Sequence, residues 1–373
     1  MPSRVPRLVR LVYDRGVWLR GCGRYALWVG IGILNICLPV RIGAATPSPV
    51  LASVPWIRLL TGVSPIIDAS AVFLSDGDIA ILVLSGTVWD HRSTLVRVRL
   101  EGARLRRVAA AEVSSHSQML FASSAGRSIV LGRGAFLYPS DLGASEEIPF
   151  PVSPYPVPRG GAIGESTASS WSVFRVGDFE SPVRAGLGFL YSATDDAVIY
   201  GMGASIRVET LSGRRVGTLP KPSASMEDFY VEAAGPGRLL VDFNGKLRIF
   251  SLETSGRELL SLRPPEGWGF RYGWSDSRGR ILFDHFTRTV PMLDRLGDFF
   301  NKLLGGPEQP NGESVEVEDT ATGGVCFALN SPFNLFGLSG SYHADLSPSG
   351  KLVVVSTLSE VSVYMLPRVC DVG

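Results

Sequence analysis

Ala71-Val72-Phe73-Leu74-Ser75-Asp76-Gly77-Asp78-Ile79-Ala80-Ile81-Leu82-Val83-Leu84 is an apolar run, a polar turn and a second, more strongly apolar run. Ser-Asp-Gly-Asp supplies residues that tolerate hairpin backbone geometry, and each flanking run has the length of a strand. The same arrangement returns around Gly126 (residues 119–131), Asp195-Asp196 (187–200), Gly237 (230–243), Gly279 (272–283) and Gly350 (344–355), making six copies. The turn centres at 77, 126, 196, 237, 279 and 350 stand 49, 70, 41, 42 and 71 residues apart. The short intervals match the roughly 40–50 residues of one four-stranded propeller blade. Each long interval holds an apparent insertion, at residues 149–170 (rich in Pro, Gly and Ser) and at 289–312.

After the turns come further short strands, such as residues 95–100, 205–210 and 246–251, in which apolar and polar residues alternate. Alternation marks one buried and one wet face and suits the outer part of a blade. Near-continuous apolar runs such as 79–84 and 351–355 belong inside, between neighbouring blades. The expected fold is therefore all-β: a propeller of six blades, or seven if a long interval hides a degenerate copy. The last copy, residues 343–366, has room for about three strands, so residues 50–60 are expected to close the ring as its fourth. One segment departs from the β pattern. Leu293, Leu296, Phe299, Phe300, Leu303 and Leu304 fall at helical spacing before Gly305-Gly306-Pro307, predicting a short amphipathic helix in the second insertion.

Composition agrees with many short strands and tight turns: 45% hydrophobic, 19% charged, 42 Gly and 25 Pro in 373 residues. The formal charge of +1 hides an asymmetry, because residues 1–45 hold seven arginines and one acid, leaving residues 46–373 at −5. An acidic body lacks the electrostatic footprint for nucleic acid. The basic start leads into an apolar run over residues 25–40, then Gly43-Ala44-Ala45. That order is the pattern of a secretory signal cleaved after Ala45, with an uncleaved N-terminal anchor as the alternative. Residues 46–373 then form a single domain, expected to be periplasmic or extracellular, without a membrane span, and monomeric. Two cysteines remain in it, Cys326 and Cys370. In an exported chain they are expected to pair, fastening the ring closure; two buried free thiols is the other reading.

The stretch His343-Ala344-Asp345-Leu346-Ser347-Pro348-Ser349-Gly350-Lys351-Leu352-Val353-Val354-Val355 resembles the Phe-Ser-Pro-Asp-Gly-Lys blade pattern of WD40-like propellers. Arg278-Gly279-Arg280-Ile281-Leu282-Phe283 and Gly237-Arg238-Leu239-Leu240-Val241 are similar to its second half. The Gly-His step is missing, and Tyr364-Met365 stands where a Trp-Asp would end the blade. The chain thus resembles the broader group of exported bacterial six- or seven-bladed propellers. That resemblance implies a binding platform or an enzyme without choosing between them.

Motifs for chemistry are sparse. The histidines His91, His116, His285 and His343 form no HExxH or His-x-His pair. Ser75-Asp76-Gly77-Asp78 and Asp195-Asp196 lack the later glutamate of a calcium loop and read as turns. Gly160-Gly161-Ala162-Ile163-Gly164 does not open a helix after a strand, so it makes no nucleotide loop. No metal, cofactor or catalytic residue is assigned. One set is positional: counting back seven to ten residues from each turn centre reaches Asp68, His116, Asp228, Arg271 and His343, with Arg184 nearby in the third copy. These positions begin the innermost strands and would surround one mouth of a propeller, where they could hold a ligand or else hydrogen-bond inter-blade loops. The expected function is a binding module for a protein, peptide or glycan partner. The alternatives are a propeller hydrolase or lyase working at that mouth, and a structural envelope protein held by its leader.

Overall fold

The computed structural model describes residues 49–60, 66–86, 91–113, 119–123, 126–132, 134–152, 160–167, 169–195, 197–221, 229–233, 238–243, 246–251, 257–262, 268–275, 279–287, 313–319, 322, 324–330 and 343–370. All lie in the unit Ala45–Gly373. They form seven antiparallel sheets, six of four strands and one of three, numbered in chain order with their strands within residues 66–113, 119–147, 162–187 (the three-stranded one), 189–220, 229–262, 268–330, and 343–365 together with 50–55.

The first sheet shows how the sequence makes the fold. Its strands Ile66–Phe73, Asp78–Gly86, His91–Glu101 and Arg104–Val113 pair in chain order. Along the second strand, Ile79, Ile81 and Val83 enter one apolar cluster with the closing sheet, while Ala80 and Leu82 enter another with the second sheet. Successive strand residues point to opposite faces, so a strand buried on both must read as an unbroken apolar run. That is why residues 79–84 carry no polar side chain. In the turn before them, the Ser75 hydroxyl accepts the Gly77 and Asp78 N–H groups, and the Asp78 carboxylate turns back to Arg97 and Arg99. The turn residues serve the hairpin.

Each sheet packs on the next through a cluster of this kind: first on second, second on third, third on fourth, fourth on fifth, and sixth on seventh. Between the fifth and sixth, Arg238 lies against Gly279 so closely that a Cβ there would meet its guanidinium. The ring returns on itself because the seventh sheet packs on the first. Six copies were expected, and the additional sheet, third in chain order, comes from the first long interval. Residues 149–170, read from sequence as an insertion, contribute the strand Ala162–Ser166, which pairs with Ser170–Arg175 and so with Arg184–Leu187. Its Gly161 N–H is held by Asp195 of the next sheet's hairpin turn. The expected helix over residues 293–304 lies outside the described residues.

The closure expected from residues 50–60 is present. Val50–Pro55 pairs antiparallel with Glu360–Met365 and completes the sheet of His343–Leu346, Leu352–Ser356 and Glu360–Met365. After Pro55 the chain leaves the sheet as a single helical turn, Trp56–Leu59. Cys326, on the outer strand Val325–Asn330 of the sixth sheet, is joined to Cys370 in the tail after the seventh, with Cα atoms 4.3 Å apart. Arg280, 3% exposed, adds a second fastening: its guanidinium donates to the carbonyls of Gly350 (2.6 Å) and Pro367 (2.7 Å). A buried cation is tolerated where fixed carbonyl dipoles replace its water.

The innermost strands are the first of each sheet. Ile66–Phe73 touches both His343–Leu346 and Met119–Ala122, and Phe189–Ala193 touches Phe229–Ala233. The side on which Ile66–Phe73, Phe189–Ala193 and His343–Leu346 begin is the mouth side; the hairpin turns at Gly77, Asp195 and Gly350 lie on the other, and Ala162–Ser166 runs the opposite way, from the Asp195 turn toward the mouth. Gly188 turns the chain from the third sheet into the fourth at this side with φ of 107°, and a Cβ there would meet the Gly201 carbonyl oxygen. No helix among the described residues is long and apolar enough to cross a membrane.

Candidate functional site

Two of the positions singled out in the sequence meet. Asp68 stands near the start of Ile66–Phe73, at a register shift in its pairing, and His343 is the first residue of His343–Leu346. His343 Nε2 lies 3.2 Å from Asp68 Oδ1, and the same carboxylate oxygen accepts the Ala69 N–H at 2.9 Å. The side chains are 31% and 39% exposed, so solvent or a ligand can reach the pair.

Below the pair, polar contacts line the seam between the first and last sheets. The Ser356 hydroxyl donates to the Ala69 carbonyl at 2.6 Å and approaches that of His343 at 3.2 Å. Deeper, Asp345, 4% exposed, accepts the Phe73 N–H at 2.7 Å. On the far side, Asp76 Oδ1 accepts the Ser349 N–H at 3.0 Å. His343 and Asp345 are two apart on one strand and so share a face, the one turned to the first sheet. Inter-sheet hydrogen bonding, the alternative raised for these positions, is therefore what Asp68 and His343 do within the chain. Their exposure leaves them able to do more.

The remaining positions are placed differently. Arg184 opens the strand Arg184–Leu187, the outermost of the third sheet, and not an innermost strand. Its Nη2 is 2.7 Å from Glu209 Oε2 of the fourth sheet, while Glu209 Oε1 accepts the Tyr200 hydroxyl at 2.8 Å. Trp171 covers Tyr200 with ring centroids 5.0 Å apart. Burial, and then the bond to Glu209, push the Tyr200 hydroxyl's pKa up, as suits a proton donor held between sheets. Arg184 thus buttresses two sheets. Arg271 lies within Trp268–Ser275, the first strand of the sixth sheet. His116, Asp228 and the side chain of Arg271 lie outside the described residues.

The mouth side of the fourth sheet also carries exposed apolar side chains. Leu187, Phe189 and Met202 are 68%, 38% and 42% exposed. Phe189 pairs with Gly201 at the strand ends and shares its face, Met202 turns to the other face, and Leu187 precedes Phe189 across Gly188. The Phe189 ring is braced edge-on by Tyr191, with centroids 5.2 Å apart. Seven residues back from the turn centre at 196 is Phe189 itself, so the same count would have found it had apolar residues been admitted. Among the described residues, no three His, Cys, Asp or Glu side chains gather as a metal-binding group.

No protein-family model matches the sequence, and no match is found among curated proteins. Solved structures similar to this chain are WD40 and other propeller proteins. Sqt1 from Chaetomium thermophilum, bound to the N-terminus of a ribosomal protein, is 14% identical with a TM-score of 0.46, covering 85% of this chain and 100% of that one. BamB from Moraxella catarrhalis is 12% identical with a TM-score of 0.38, covering 87% and 99%. The WD40 domain of Toxoplasma gondii coronin is 10% identical with a TM-score of 0.44, covering 88% and 91%. The propeller architecture of this chain is fixed by its own sheet order and closure.

Proposed function

We propose that the chain is an exported binding module whose contact surface is the mouth side of the ring. The observation that carries this reading is the solvent-exposed Phe189, braced by Tyr191 at the mouth-side end of its strand. An exposed aromatic side chain held on a rigid sheet end is unfavourable in water and favourable in an interface, where aromatic anchors supply much of the binding energy. The reachable Asp68–His343 pair, on the same side of the ring, adds a polar contact that fixes orientation. The partner is a polypeptide segment offering an apolar side chain to Phe189 and a hydrogen-bonding or charged group to Asp68. Export is supported by the basic and apolar order of residues 1–45 and by the Cys326–Cys370 disulfide, a bond that persists in oxidising compartments.

Peptide-phage selection against the purified domain tests the reading. Enriched sequences should share an apolar residue and should bind the Phe189→Ser variant at least roughly tenfold more weakly, the cost of losing one aromatic anchor. Asp68→Asn should weaken them less. Enrichment of peptides indifferent to both substitutions would place the contact surface elsewhere.

A further inference from the structure

A second surface stands apart from the mouth. The outermost strand of the first sheet, Arg104–Val113, has ten residues; Val50–Pro55, Arg215–Pro220, Arg257–Leu262 and Val325–Asn330, outer strands of other sheets, have six. It pairs on one side only, with His91–Glu101. Among the described residues, its other edge has no strand beside it.

The first half of this edge is basic, and its far end carries Glu112. Residues 91–107 hold Arg92, Arg97, Arg99, Arg104, Arg106 and Arg107 against one acid, Glu101, in a body whose net charge is −5. Part of that charge is neutralised locally. Arg97 and Arg99 share Asp78, and Arg106 faces Glu101 at 3.2 Å. Arg104 and Arg107 have no carboxylate partner among the described residues. Arg107 instead donates to the Leu59 carbonyl at 2.7 Å, which sets it beside the exposed Arg58 of the helical turn. Leu105 packs with Trp56 and Leu59, so Leu105 and Arg107 share the face toward the closing strand. Arg104 and Arg106 share the other. Residues 104–107 of the free edge are therefore flanked by cations on both faces.

We propose that the edge of Arg104–Val113 takes up an acidic, extended segment of a partner protein as an added strand. Backbone N–H and C=O groups along the edge supply the pairing. Carboxylates on alternate residues of the incoming strand meet Arg104 and Arg106 on one face and Arg107 and Arg58 on the other. Arginines on a strand edge repel basic edges and give neutral ones nothing to neutralise them. The same charges admit an acidic strand, and they steer its approach.

The test is fluorescence anisotropy with a labelled decapeptide alternating glutamate and valine. Binding is expected at low salt and should weaken on raising the salt toward 0.5 M. Either Arg104→Glu with Arg106→Glu, or Arg58→Glu with Arg107→Glu, should weaken it roughly tenfold, as for two exposed ion pairs. The paired Arg→Gln variants guard against a folding defect, and thermal midpoints of all variants should match the parent. A peptide with lysine for glutamate should not bind, nor should the acidic peptide with alternate backbone nitrogens methylated. Equal binding of the methylated peptide would show charge attraction without strand pairing and overturn the proposal. So would binding that ignores the arginine variants, no binding at all, or a dimer in solution abolished by those variants, which would make a second copy the occupant.

Discussion

Replacing Cys326 and Cys370 together with alanine is expected to lower stability by about 4 kcal/mol, the loop entropy of a cross-link across some 44 residues. The bond joins the outer strand of the sixth sheet to the tail beyond the seventh, so it restrains the unfolded chain across the last sheet and its connections. Both cysteines are buried in one cluster with Phe327, Leu346, Val353 and Leu366, so the substitution also removes packed sulfur from a core. Arg280 still holds the Gly350 and Pro367 carbonyls, and the tail should stay docked in the native state. The loss should therefore appear in the equilibrium and leave the native spectrum unchanged. Urea denaturation followed by far-UV circular dichroism measures it. Cys370→Ala alone should cost as much as the pair, and reductant should destabilise the parent while leaving the variants unmoved. Near-equal midpoints for oxidised and reduced parent would contradict this.

Trp56→Ala is the second large effect, with an expected loss of about 3–5 kcal/mol for emptying a buried aromatic site. Trp56 is 3% exposed and packs with Ala52, Val54, Phe73, Val354 and Val361, side chains from both the closing sheet and the first. Its Nε1–H donates to the Thr357 carbonyl at 2.8 Å, and its backbone N–H to that of Ser359 at 3.2 Å. The residue thus fixes the closing strand at the point where the chain turns away from it. Trp56→Phe keeps most of the packing and gives up the side-chain hydrogen bond, so it should cost only about 1–2 kcal/mol. The denaturant slope should stay that of the parent if the ring unfolds as one unit. A small loss for Trp56→Ala, or a separate early transition, would mean that the closing strand is an appendage.

Much of the architecture was legible because hairpin turns and doubly buried strands leave local marks. Ser75-Asp76-Gly77-Asp78 and Gly350 announced their turns, and the three-strand last copy demanded a fourth strand from near residue 50. The third sheet was hidden because its strands are short and lie among Pro, Gly and Ser. Ile163, Trp171, Val173 and Phe174 contribute its apolar contacts, and no unbroken apolar run signals them. Of the site, counting along equivalent strands singled out Asp68 and His343 but did not foresee that they meet. The role of Arg184 was not legible either, since its partner Glu209 belongs to another sheet, and only the packing of the two chooses it. Phe189 was missed for a different reason: an exposed aromatic is indistinguishable in sequence from a buried one until the strand end is located.

The ring is closed by its own first strand, and Ser53 and Ser362 offer the most direct measurement of that. They are register partners across the closing pair, with hydroxyl oxygens 3.2 Å apart. Cysteines at both positions would sit within reach of a disulfide. In the Ser53→Cys, Ser362→Cys protein, a non-reducing mass map should find one intramolecular cross-linked peptide pair in addition to Cys326–Cys370, in monomer at near-full yield. Free thiols at 53 and 362 in folded monomer, or a bond formed only between molecules, would contradict the closure and with it the account of the ring.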